Sequence, residues 1–426
     1  YTSVRSSYSK LLNAIIIRPM VESIFTEQAI GRFLWSDIIS HIDIPSSNCS
    51  HMDGFVVIYN DIMKISKQGP IKLRVVPRKK ASKSENQILH TGQAIRISTG
   101  EVLPHLGDTV IPVEYTDFDS KSNTVIIQRD FAKGSFVSHK GSEIASKDLL
   151  LSKGHALRAQ DLALVSMLGI RKLKVFKKPR VAIVPTGNEL TEKMTDIKLG
   201  KILNTNSRVI SNLIETSGGA PLDLGITPDN IQKIKNKIRI ALSECDIILT
   251  TGGSSVGLRD LVAESINDIG KPGILVHGVK LDRGRVTGLA ALRSRAIIIL
   301  PGPIQGAVNA FIVFAHPLIR LMLGLQPFTK PFILAKLTEG WNARNKFQNF
   351  TKIVYVKMSR SASGDFYAKP ISGETTDITV LTRSNGFILV PERSTAIEKG
   401  QKVKINVLPG LSFSSGNPME FHYQSV

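Results

Sequence analysis

The stretch ILTTGGSSVGLRD, residues 248–260, decides the fold. An apolar run of strand length passes directly into Thr250, Thr251, Gly252, Gly253, Ser254, Ser255, Val256 and Gly257, and a helical pattern starts after Asp260. In a parallel sheet, ligands sit where strand ends meet helix N-termini. Glycines let the backbone approach an anion closely, successive N–H groups form a concave donor site, and hydroxyls add donors. A Gly-Gly-Ser loop can be plain turn chemistry, but its place between strand and helix favours a phosphate site at Gly252, Gly253, Ser254 and Ser255. Asp260 stands out there, because a bare carboxylate repels phosphate. It either holds a divalent cation that the phosphate shares or caps the following helix.

The same alternation extends outward. Residues 181–184 read as a buried strand, 207–217 as a helix ending at Gly218, 222–226 as a strand, 230–244 as a helix and 247–250 as the strand already quoted. A helix over 261–269, strands over 274–279 and 296–300, and a closing helix over 305–323 follow. This order predicts a mostly parallel sheet covered on both faces. A second strand end, VPTGNEL (184–190), carries Thr186 and Glu189. The carboxylate suits a metal, a ribose hydroxyl or an ordinary loop. NTNSR (204–208) offers Asn206 or Ser207 as a helix N-cap.

The flanks have other textures. The first forty residues read as helical, with Leu11, Leu12, Ile15 and Ile16, then Ile24 and Ile30, near helical spacing. From Asp53 to about Val137, short β-rich runs separated by Gly, Pro, Asn and Asp predict a small antiparallel barrel or sandwich. Helical texture returns over 143–174, so the β segment reads as an insertion. In SHMDGFVV (50–57), Asp53-Gly54 is a turn pair entering a strand. After Pro327, runs at 332–337, 353–358, 387–390 and 403–407 predict a further β domain.

Composition narrows the function. Of the 426 residues, 42% are apolar, a globular fraction. Two cysteines, Cys49 and Cys245, exclude a disulfide framework and a cysteine-based zinc site. Nine histidines stand at no metal-ligand spacing, and His277 and His316 read as structural. No uninterrupted run reaches the roughly 18 apolar residues that span a bilayer, and no signal-peptide pattern opens the sequence, so a soluble cytoplasmic protein is expected. The net charge of +20, from 55 basic and 35 acidic residues, suits anionic ligands. The basic residues are spread along the chain, without a nucleic-acid-binding motif.

Taken together, these pieces resemble the MoeA/gephyrin E-domain family of molybdenum-cofactor biosynthesis. SHMDGFVV looks like that family's SAMDGYAV; residues 94–116 are similar to RIMTGAPLPxGADAVVxxE; KGSEI (140–144) resembles GEDI. VPTGNEL is similar to STGDEL, LGITPDN (224–230) to GIVxDD, and TTGGSSVGLRD to TSGGVSVGDYD. LDRGRVTGLA (281–290) and LPGPIQGAVNAF (300–311) look like MKPGKPLAFG and LPGNPVSALVTF. The likeness runs from about residue 10 to about residue 408.

The resemblance implies a multidomain α/β plus β fold. Residues 1–42 and 139–177 would form a discontinuous helical linking domain, 43–138 the β-rich insertion, 178–328 a MoaB/Mog-like α/β domain with a mostly parallel sheet, and 329–426 a C-terminal β-barrel domain. It implies a homodimer with its active site between subunits, possible contact with a MoaB/Mog-type adenylyltransferase, and no membrane or specific nucleic acid. The implied reaction inserts molybdate (or tungstate) into adenylylated molybdopterin, with Mg²⁺-dependent hydrolysis and AMP release. Asp53, Glu189, Asp229 and Asp260 would be catalytic. Thr99, Thr186, Gly252, Gly253, Ser254, Ser255, Arg285 and Pro301 would bind the pterin compound, and Glu189, Asp260 and Glu143 the metal. Asp53 and Thr99 would approach from the partner subunit.

Departures from the family pattern fall on the metalate side. The GEDI aspartate is Glu143, the Lys-Pro-Gly-Lys-Pro stretch is Asp282, Arg283, Gly284, Arg285 and Val286, and LPGNPVS carries Pro303, Ile304 and Gly306. An oxyanion wants cationic and hydroxyl donors, so Arg283, Arg285 and Ser372 would have to compensate. An altered metalate preference or reduced insertion is expected. A sister activity, such as molybdopterin adenylylation or another nucleotide pyrophosphate hydrolysis, or a catalytically reduced molybdopterin-binding scaffold, are the alternatives.

Overall fold

The computed structural model describes residues 1–65, 69–79, 87–252, 260–327 and 332–408. Gly253, Ser254 and Ser255 of the expected phosphate site therefore lie outside the described residues. The chain divides into two compact units. One comprises Tyr1–Ser23, Gly31–Phe33 and Val175–Val426, the other Ile24–Ile30 and Leu34–Lys174.

The first unit is built on a six-stranded sheet. Its strands are β1 (Arg180–Pro185), β2 (Ala220–Asp223), β3 (Ile247–Thr251), β4 (Pro272–His277), β5 (Gly288–Leu292) and β6 (Arg295–Leu300), in the order β2-β1-β3-β6-β5-β4. The pairs β2/β1, β1/β3 and β3/β6 are parallel; β6/β5 and β5/β4 are antiparallel. Helices α1 (Thr205–Thr216), α2 (Ile231–Glu244), α3 (Leu261–Ile269) and α4 (Ile304–Ala310) cross over between strands or close the domain. On α2, Ile234, Ile238, Ala241 and Leu242 recur at helical spacing and pack with Val262 and Ile266 of α3 onto Ala182, Val184, Ile248 and Ile297. Each such buried aliphatic side chain contributes roughly 1.5–3 kcal/mol.

Strand β5 escaped the sequence reading for a local reason. The turn joining it to β6 places Arg293 and Ser294 at φ 49° and 60°. That is the two-residue hairpin geometry usually written with Asn and Gly, and Arg-Ser gives no such signal. The N-cap of α1 is also corrected. The side chain of Asn204, rather than Asn206 or Ser207, accepts from the Ser207 N–H at 3.4 Å.

The closing helix runs through Ile304–Met322. By length and composition it could cross a membrane, yet 78% of it is buried inside the protein, as a core helix is. Residues Phe311–Ala315 form a π-turn ahead of Pro317, whose ring would otherwise crowd the preceding carbonyls. Beyond it stands a closed barrel whose strands follow the order Phe332–Leu337, Phe366–Pro370, Lys352–Arg360, Gly386–Val390 and Lys402–Val407. The sequence reading had missed Phe366–Pro370.

The expected helical run over the first forty residues is confined to Val4–Ala14. The β-branched run of Ile15, Ile16 and Ile17 and then Pro19 stop it, and Ile24 lies in a strand, Val21–Phe25. Residues 143–174 likewise hold one helix, Ala159–Met167, flanked by the strands Leu149–Leu151 and Lys172–Phe176.

The second unit carries a six-stranded sheet ordered Thr109–Pro112, Gly54–Val57, Gln93–Ile97, Ile71–Val76, Thr124–Ile127, Thr116–Asp119. It is mixed rather than purely antiparallel, because Ile71–Val76 pairs in parallel with Gln93–Ile97. Gly54 is required by close approach of neighbouring strands: a Cβ there would lie 2.0 Å from the Ile111 carbonyl oxygen.

Candidate functional site

The carboxyl ends of β1 and β3 meet at Thr186 and Gly252. The Thr186 N–H donates to the Thr251 carbonyl at 2.8 Å. Gly252 has φ +81°, and a Cβ on it would lie 2.3 Å from the Thr186 carbonyl oxygen, so only glycine fits. Beside this junction opens a cavity of about 500 Å³, lined by Thr186, Glu189, Thr251, Gly252 and the first residues of α1, with Leu190, Ile202 and Ile304 as its apolar wall. The N-terminus of α1 contributes backbone donors and a positive dipole end, a ready anion site.

Glu189 is exposed and turns its carboxylate back over Gly187. Asp229 is paired with Asn188: the Asn188 N–H donates to Asp229 Oδ2 at 3.1 Å, and the Asp229 N–H donates to Asn188 Oδ1 at 3.1 Å. Asp260 has both oxygens engaged. Oδ1 accepts from the Ala263 N–H at 2.9 Å, capping α3, and Oδ2 lies 2.8 Å from His277 Nε2. Asp260 thus caps α3 and pairs with His277.

In the second unit, Asp53 and Thr99 come together. Asp53 Oδ1 accepts from the Thr99 N–H at 2.7 Å and from its hydroxyl at 3.1 Å. These bonds hold the Asp53 carboxyl below the usual carboxylate range. Glu143 of the same unit is exposed. Among the described residues no three His, Cys, Asp or Glu side chains converge to hold a metal ion.

A second cavity, of about 370 Å³, adjoins the first across Pro303. Arg285 and Pro301 line it as expected, and so do Asp282, Arg283, Arg344 and Thr375. Arg283 sits at φ +53°, a conformation closed to the proline of the family pattern, so this loop takes its own path. Its guanidinium donates to Gln305 Oε1 at 2.5 Å. Burial, reinforced by Arg344, pulls its pKa down. Asp282, which is 8% exposed, pairs with Arg344 of the barrel domain.

Sequence reasoning missed Arg344 and Gln305. Arg344 stands in NARNKF, in the barrel domain and far along the chain from the strand ends of the α/β sheet. Thr375, rather than Ser372, supplies a hydroxyl to the cavity.

The fold and the two adjoining cavities, one beside a helix N-terminus and one lined by three arginines and Asp282, define an α/β domain with paired clefts at its strand ends. Residues 182–321 match the family model described as "Probable molybdopterin binding domain". Residues 2–169 match "MoeA N-terminal region (domain I and II)", and 335–408 match "MoeA C-terminal region (domain IV)". The chain is 28% identical over 387 residues to a protein from Staphylococcus epidermidis named molybdopterin molybdenumtransferase, covering 91% of each. It is 27% identical over 405 residues to the protein of that name from Staphylococcus aureus, covering 94% of each. A molybdopterin biosynthesis MoeA protein from Pyrococcus horikoshii has a crystal structure similar at a TM-score of 0.79 and 27% identity, over 96% of this chain and 100% of that one. The chain belongs to the MoeA family.

Proposed function

We propose that this chain is a molybdopterin molybdenumtransferase, a transferase of molybdenum-cofactor biosynthesis that inserts molybdate or tungstate into adenylylated molybdopterin and releases AMP. The observation that carries this reading is the pair of adjoining cavities. The one at Thr186, Thr251 and Gly252, beside the N-terminus of α1, suits a phosphate-bearing pterin compound. The arginine-lined one suits a tetrahedral oxyanion. Pro303 belongs to both, so an anion in the second would sit next to the compound in the first. Full-length kinship to proteins named for this activity supports it.

In this reading Gly252, with Gly253, Ser254 and Ser255, cradles phosphate. Glu189, which lines the cavity, and Asp229, paired with the adjacent Asn188, would orient the attacking oxygen or the ribose. Asp260 acts by holding the start of α3 at the end of that loop. Asp53, anionic and braced by Thr99, would come from the partner of a homodimer, with Glu143. Glu189, Asp260 and Glu143 would hold the magnesium that the resemblance implies, and that cation would offset charge on the cleaved phosphates. The same reading keeps the fourfold division at 1–42 with 139–177, 43–138, 178–328 and 329–426, a cytoplasmic location, and delivery of the substrate by a MoaB/Mog-type adenylyltransferase.

The test is incubation of the purified protein with adenylylated molybdopterin and Mg²⁺, following AMP with molybdate, with tungstate and with neither. AMP release that needs a metalate establishes the transferase. Pyrophosphate formed from ATP would instead identify the adenylylating sister activity, and binding without AMP would leave a scaffold.

A further inference from the structure

Three guanidinium groups, Arg283, Arg285 and Arg344, face the smaller cavity, and one carboxylate, Asp282, sits among them. Among the described residues, neither Arg283 nor Arg285 has a carboxylate within ion-pair distance, whereas Arg344 is taken by Asp282. The arrangement is held from several sides. The Asp282 N–H donates to the Thr351 carbonyl at 2.8 Å, and the Thr351 N–H to the Lys280 carbonyl at 2.9 Å, which ties 280–282 to the strand entry of the barrel. The Arg344 guanidinium lies 4.7 Å from the Phe347 ring centroid. Arg283 is fixed by Gln305, whose amide donates to the carbonyls of Glu374 and Asp377. The carboxylate is therefore a built part of the anion cavity rather than a passing surface contact.

Resting on the reading that this cavity receives the oxyanion, we propose that Asp282 is a specificity-determining residue that sets how strongly the site accepts doubly charged oxyanions. A carboxylate at the edge of a binding site repels an incoming anion in proportion to that anion's charge, and it also occupies a cation the anion would use. A dianion is penalised about twice as much as a monoanion of equal shape. The cavity thus binds a free oxyanion more weakly than its three arginines alone would.

Tungstate and perrhenate are tetrahedral oxyanions of closely matched shape that differ by one unit of charge, and they are the probes. Titration calorimetry on the full chain compares the parent with Asp282→Asn, which keeps the shape and removes the charge. The expected result is tungstate binding tightened about tenfold and perrhenate about threefold, since half the charge gives half the free energy. A second variant, Arg344→Gln, leaves Asp282 uncompensated and should weaken tungstate more than perrhenate. Lys369→Gln, which removes a positive charge on the barrel surface where Lys369 pairs with Glu339, should change neither. If Asp282 only holds Arg344 in place, Asp282→Asn weakens both anions, and that result overturns the proposal. Equal losses in Arg344→Gln overturn it as well, even if Asp282→Asn fails to fold. Metalate-dependent AMP release separates the two readings. Unchanged tungstate dependence in Asp282→Asn sinks the role of Asp282 and spares the transferase. Charge-dependent binding with no AMP sinks the transferase and spares Asp282.

Discussion

At Gly252 a side chain has nowhere to go, because the backbone is left-handed and the Thr186 carbonyl oxygen lies 2.3 Å from where a Cβ would stand. Gly252→Ala should cost about 2 kcal/mol or more and weaken the pterin compound, as a shifted denaturant midpoint and a raised Kd would show. Gly306 is similar in kind. A Cβ there would meet the Arg283 carbonyl oxygen at 2.8 Å and Pro301 Cβ at 2.9 Å. Gly306→Ser, which restores the residue of the family pattern, should therefore destabilise by roughly 1–3 kcal/mol without tightening tungstate. A gain in oxyanion affinity at unchanged stability would refute this. The strand-end glycines were legible because close approach leaves a composition signal. The barring of serine at 306 was not, since it depends on the left-handed turn at Arg283. Burial pushes the Cys245 thiol up to about 11, and Cys49 donates to the Ser47 carbonyl at 3.2 Å.

At the scale of elements, caps decide helix starts, and two aspartates illustrate it. Asp260 begins α3, so Asp260→Ala should cost about 1 kcal/mol, whereas Asp260→Asn, which can still cap, should keep stability within about 0.5 kcal/mol. Urea midpoints of the two variants check the cap. AMP release by Asp260→Asn then reports the charge alone. Asp161 reaches back to the Arg158 N–H at 2.8 Å and also binds the Arg158 guanidinium and His155, with its side chain 5% exposed. Arg158 first, then His155, holds its carboxyl far below the usual range. A depressed folded pKa gives stability that is present above the unfolded value, about 4, and is lost as pH falls towards the folded one. Asp161→Asn should cost roughly 1–3 kcal/mol at neutral pH, and its deficit against the parent should shrink below about pH 4. A deficit that stays constant from pH 7 to pH 3 would contradict the assignment. Neither partner of Asp161 is unusual in sequence; their convergence follows from the turn at 155–158.

At the scale of the molecule, the α/β domain and the barrel share a buried polar seam. The Tyr355 hydroxyl donates to Asn309 Oδ1 at 2.8 Å, Asn309 is fully buried, and Gln305 bonds into the 374–377 loop. Tyr355→Phe leaves Asn309 with an unmet acceptor and should cost about 1–3 kcal/mol. Hydrogen exchange should then speed in both the closing helix and the strand Lys352–Arg360; faster exchange in only one would mean that the seam does not couple them. By itself the sequence determined the parallel α/β core, the β texture on either side and the strand-end loops, because burial periodicity and glycine placement are written in adjacent residues. It also carried the family likeness that the three matched regions bear out. Only the tertiary structure decided the mixed pairing of the inserted sheet, the hairpin turned by Arg293 and Ser294, the commitment of Asp260 to a cap, and the meeting of Asp282 with Arg344 across 62 positions of chain. Strand direction and ion-pair partners are set by which distant segments pack together, and nothing local to those residues encodes that choice.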